Sequence, residues 1–260
     1  MIAGVALSGW DWGLVGVVAI QGTVMAYIHH PFWKAMVVNL PLPFTLAILS
    51  LGFAPDAASA AGMCLLPWFF HAIRLMRRAG CPILGAIAVT LFGHITASSY
   101  LAGVLPRTEA WMALCLALAA AQGVLLHRWY VPEPEAGYRT GLPVWIKLPA
   151  MVGVSLSIVL MKTWLQGCMA AFPMVSVIAA YECRHLLGSL CGQIPFILRI
   201  ILPMMLTIHL AAPYLGCGWA LIPGWGVFLA VGLPQVLRRS ARIAAPKLPQ
   251  SMDASCPSLQ

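Results

Sequence analysis

Apolar runs of roughly twenty residues follow one another along nearly the whole of this 260-residue chain, set apart by short stretches rich in proline and glycine. About twenty mostly apolar residues suffice for a helix to cross the hydrocarbon core of a bilayer. Such runs are predicted at 11–29, 35–53, 56–74, 82–105, 109–128, 144–161, 165–181, 194–213 and 216–236. Breaks fall at His30-Pro31, Ala54-Pro55-Asp56, Gly80-Cys81-Pro82, Leu105-Pro106-Arg107 and Pro213-Tyr214, the punctuation expected between elements. The predicted fold is an all-α, polytopic transmembrane helical bundle of about nine helices. Composition agrees, with 61% hydrophobic and 8% charged residues where a soluble domain carries about 25% charge.

The formal net charge of +8 does not point to nucleic acid, because the basic residues are scattered between apolar runs and form no binding motif. They read as a topology signal, since cytoplasmic loops retain an excess of lysine and arginine. With the N-terminus outside, one side collects Lys34, Arg74, Arg77, Arg78, Arg128, Arg139, Lys147, Arg184, Arg238, Arg239, Arg242 and Lys247, and the other only Arg107 and Lys162. The sequence therefore predicts a multi-pass protein of a bacterial-type inner membrane, N-terminus outside and C-terminus cytoplasmic. Met1–Trp10 lacks Lys and Arg, unlike a secretory signal peptide, so the first apolar run is expected to be retained as a helix.

The polar stretch 131–140, with Glu133, Glu135 and Arg139, is the longest internal loop. It suggests an organisation into 1–130 (an N-terminal helix plus a first four-helix unit), a cytoplasmic loop at 131–143, a second four-helix unit at 144–240 and a cytoplasmic tail at 241–260. Leu42-Pro43 matches Leu148-Pro149, Met63–Pro67 matches Met169–Pro173, and Arg78 matches Arg184, all at an offset of 106. Four helices per unit would make such a repeat parallel, related by an axis along the membrane normal; chance register between two proline-interrupted stretches is the alternative. From Lys147 onward, Gly167, Phe172-Pro173, Ile178-Ala179, Tyr181, Leu198-Arg199 and Pro213-Tyr214 resemble the small bacterial GlpM-like membrane proteins, which are about one such unit long. That resemblance implies a membrane location and self-association, and no catalytic mechanism. The first half departs from it, with Leu66 and Trp68 around Pro67.

Candidate functional residues are few. Pro67 and Pro173 lie inside predicted helices, and broken helices at corresponding repeat positions point to a transporter site, although proline also serves as a simple kink. Gln166, with Thr163 and Ser176, supplies the nearest polar lining, while Ala57–Gly62 and Gly167–Ala171 provide small residues for close helix packing. Ionisable groups within a bilayer are functional candidates with partners to be named. Arg199, about five residues into the predicted eighth helix, could pair with Glu182 or snorkel to headgroups. His94 near the middle of the fourth could relay a proton or bond a neighbouring helix. His29, His30, His71, His127 and His185 all fall at the inner ends of predicted helices, where a metal site is one reading and capping of helix C-termini the other.

The eight cysteines form no CxxC pair and read mainly as small buried hydrophobes; a Cys168–Cys217 disulfide is left open. No P-loop, GxSxG or dinucleotide fingerprint occurs and only seven acidic residues are present, so enzyme activity and a bound cofactor are not expected. Tryptophans and tyrosines gather toward helix ends, as an interfacial belt does. The sequence points first to a small-solute permease or exporter, for a small apolar or anionic solute. The alternatives are a non-transporting assembly or scaffold protein and a histidine-ligated membrane metalloenzyme. The expected partners are the lipid bilayer and either a second copy or another membrane protein.

Overall fold

A computed structural model describes residues 7–129, 141–160, 174–185 and 187–244. They form ten helical segments: α1 (Gly9–Tyr27), α2 (Pro31–Val38), α3 (Leu42–Leu51), α4 (Ala57–Arg78), α5 (Ile83–Val104), α6 (Glu109–Trp129), α7 (Val144–Leu160), α8 (Met174–Glu182), α9 (Leu187–Leu215) and α10 (Cys217–Ala244). Among the described residues there is no strand. Five helices, α4, α5, α6, α9 and α10, are long and apolar enough to cross a membrane. The chain is a multi-pass membrane protein. Its outward faces stay apolar, as at Leu84, Val89 and Phe92 of α5 and Trp219, Ile222 and Leu229 of α10, a pattern that suits lipid rather than water.

The structure corrects three spans. The run predicted at 35–53 is two helices, α2 and α3, interrupted at Asn39-Leu40-Pro41. Pro41 has no N–H to give and Pro43 occupies the first turn of α3, so the ladder cannot pass through. Carbonyls at such a break need partners in an apolar medium. The side-chain amide of Gln21 in α1 donates to Val37 O at 2.5 Å and to Leu40 O at 3.4 Å. The run predicted at 194–213 begins earlier, at Leu187, and α10 continues to Ala244, so the tail expected from 241 starts within a helix. Most of the 131–143 loop lies outside the described residues.

Helix α4 is central, packing against α5, α6 and α9. Ala57, Ala58, Ser59, Ala60, Ala61 and Gly62 at its start are all buried, so the small residues let neighbouring backbones approach. The helix runs through Pro67 without interruption. Its N-terminus is capped by Asp56, whose carboxylate accepts from Ser59 N at 3.0 Å and Ser59 Oγ at 3.1 Å. Helix α1 packs against α3 and α7, and α9 against α10, α6 and α4; helices from before and after residues 131–143 are thus interleaved.

Candidate functional site

Alternation of the helices gathers unlike side chains at the two ends of the bundle. At the end where α1 starts, Asp11 closes a capping box with Ser8 and accepts from Ser50 Oγ of α3. Arg107 lies 3.5 Å from Asp56. His209 of α9 contacts Pro55 O and Glu109 Oε2, each at 2.8 Å. Both partners are acceptors, so the ring donates to both only when both its nitrogens carry protons. At the opposite end stand Lys34, Arg74, Arg77, Arg78, Lys147 and Arg184.

The most unusual feature lies at this basic end. Lys34 of α2, Lys147 of α7 and Glu182 of α8 are 1%, 4% and 0% exposed. Lys147 Nζ donates to Glu182 Oε2 at 2.8 Å, and Lys34 is within electrostatic reach of Glu182, Cys183, Lys147 and Arg184. The second carboxylate oxygen, Oε1, is buried without a hydrogen-bond partner. Tyr27, at the end of α1, frames the group: its hydroxyl donates to Leu142 O at 2.5 Å and its ring centroid is 6.0 Å from Lys147 Nζ. Burying the Lys147 ammonium and the Glu182 carboxylate is expensive even with the pair formed.

Lys147 and Glu182 sit at the edge of a cavity of about 520 Å³ between α5, α7 and α8. Its walls are otherwise apolar, with Ile87 and Leu91 from α5, Met151 and Val154 from α7, and Val177 and Ile178 from α8. A few convergent polar groups at one end of an apolar cavity is the usual form of a small-molecule site. Helices α1 and α8 can close behind it because Gly22 carries no side chain: a Cβ there would stand 2.9 Å from Ile178 Cγ2.

Of the residues singled out in the sequence, Glu182 belongs to this site and the other described ones do not line it. Arg199 does not pair with Glu182; it is exposed beside an apolar groove of about 430 Å³ between α6 and α9, next to Leu198, Leu202 and Pro203. It lies thirteen residues into α9, on the face that borders the α6 groove, and Lys147 takes the carboxylate instead. His94 is buried in α5 with its ring edge-on to Phe69, centroids 5.8 Å apart. Pro67 is buried within α4. Pro173 and Gln166 lie outside the described residues. His29, His30 and His127 are exposed and His71 is half-buried, while His185 lines a separate basic cavity. Among the described residues no three His, Cys, Asp or Glu side chains converge to hold a metal ion. Cys217 is a free thiol; Cys168 lies outside the described residues.

Sequence reasoning treated Lys34 and Lys147 only as topology markers and passed over Gln21, Asp11 and His209. A polar residue inside an apolar run was the available signal for Gln21 and Asp11. No family model, curated protein or solved structure matches this chain.

Proposed function

We propose that this chain is a membrane permease for a small organic anion with an apolar body. The observation that carries the reading is the buried Lys147–Glu182 pair at the edge of the α5–α7–α8 cavity. The Lys147 ammonium suits an anionic head, the apolar walls suit a short hydrocarbon or aromatic body, and ionisable groups withdrawn from water in a membrane bundle ordinarily mark a solute or proton pathway. The interrupted α2–α3 segment next to it supports the same reading, since discontinuous helices accompany transporter sites. The basic end faces the cytoplasm in this proposal, in keeping with the positive-inside rule.

The test is flux of radiolabelled hexanoate and benzoate from vesicles containing the purified protein. Saturable flux that is lost in Glu182→Gln and in Lys147→Met, with both variants still incorporated, is the expected result. Flux that is absent in the parent protein, or unchanged by both substitutions, would sink the reading.

The second reading is a non-transporting scaffold that binds a second copy or another membrane protein. It is favoured by Arg199, a cation exposed along an apolar helix face beside a groove, and by the self-association that the GlpM-like resemblance implies.

A further inference from the structure

A second cavity, sharing no lining residue with the first, lies at the same end of the bundle. It measures about 220 Å³ and is lined by Arg74, Arg77, Arg78, Arg184, His185, Leu187 and Gly188. We infer that it binds a phosphate group, carried either by the headgroup of an anionic phospholipid or by free phosphate.

Three elements build the site. Arg74, Arg77 and Arg78 occupy the last turns of α4 at spacings of three and four, which put them on neighbouring positions of one helix face. The carbonyl-rich end of α4 favours cations there. The turn after α8 brings Arg184 and His185, and Leu187 and Gly188 begin α9, whose first N–H groups have no partner within the helix. No Asp or Glu is among the described residues that line the cavity.

Two of the guanidinium groups are held in place. Arg184 Nη1 donates to Tyr181 O at 3.2 Å and the group lies 5.0 Å over the Tyr181 ring; Arg77 Nη1 donates to Cys81 O at 2.9 Å. Each of these side chains carries its donors in a planar fork. Arginines that merely set topology gain nothing by converging, because like charges repel. Four of them around one concavity, with a helix N-terminus beside them, match a tetrahedral oxyanion that accepts from several directions at once. The cavity is smaller than the roughly 300–1,000 Å³ of ordinary small-molecule sites, which fits a headgroup-sized anion.

The experiment uses the full chain in two settings. Delipidated protein in detergent is titrated with inorganic phosphate by calorimetry. Protein in nanodiscs containing phosphatidylglycerol or only phosphatidylcholine is analysed for retained lipid by native mass spectrometry. The variants are Arg184→Gln, Arg184→Lys and the double substitution Arg74→Gln/Arg184→Gln. The control is Arg128→Gln, a cation at the end of α6 outside the cavity. Elution profile and helical circular dichroism identify variants that fold.

Binding weakened at least tenfold in the double variant, partly kept in Arg184→Lys and unchanged in Arg128→Gln is the expected pattern. Saturable phosphate uptake in detergent would assign the site to free phosphate. Selective retention of phosphatidylglycerol without a phosphate response would assign it to a lipid headgroup. Binding of neither probe, or equal losses in Arg184→Gln, Arg184→Lys and Arg128→Gln, would overturn the inference and leave only diffuse surface charge.

Discussion

Taking a charged side chain away from water costs several kcal/mol, and a buried partner returns that cost only while it is present. Lys147 and Glu182 are in this position, with Lys34 buried beside them. Replacing Lys147 by Met leaves the Glu182 carboxylate without its hydrogen-bonded cation, and a loss of about 3–5 kcal/mol is expected for a buried pair broken on one side. The double variant Lys147→Met/Glu182→Met should be less destabilised than Lys147→Met alone, because no unpaired carboxylate remains. Unfolding in mixed micelles measures both, and equal losses would show that the two groups are not coupled. Glu182 was visible in the sequence as an isolated acid near the end of an apolar run. Its partner was not, because a linear sequence gives depth along a helix but not which neighbour a side chain faces. Arg199 lies on the next helix yet borders the α6 groove, whereas Lys147 sits 35 positions upstream of Glu182.

Helices α9 and α10 pack along one another, and the approach depends on a single missing side chain. A Cβ at Gly224 would lie 2.5 Å from Ile208 Cγ1 and 2.9 Å from its Cδ1, while nothing lies within 4 Å of one at Gly226. Gly224→Ala should therefore destabilise the bundle by about 1–3 kcal/mol through overpacking. Gly226→Ala should be neutral or slightly stabilising, since Ala is the better helix former. Thermal denaturation of the two variants side by side isolates the contact; identical midpoints would exclude it. The apolar runs located most helix boundaries to within a few residues, as for 82–105 against Ile83–Val104 and 144–161 against Val144–Leu160. The failures share a physical cause. Hydropathy registers what tolerates lipid, whereas the start of α9 is sheltered by protein, with Leu187, Gly188, Leu190 and Cys191 buried. In α2 and α3 the run stays apolar across a break, and only the proline pair and the distant Gln21 amide account for it.

Across the whole molecule the two ends differ in sign. Asp11, Asp56 and Glu109 gather at one, and Lys34, Lys147 and the arginines of α4 and the α8–α9 turn at the other. A protein oriented by this asymmetry should show reporters placed after Arg78 and within 131–140 on the cytoplasmic side, and one placed at Gly216 outside; a basic-end reporter read as external would reverse the assignment. The same architecture fixes an order of assembly. Helix α1 packs against α3, which follows closely, but also against α7, which begins only at Val144, and Tyr27 is tied to Leu142 across 115 positions. During synthesis, α1 therefore keeps one face uncovered until α7 has been delivered. A nascent chain halted after α6 would hold all the partners of α4 except α9, yet would leave α1 waiting for the helix that completes it.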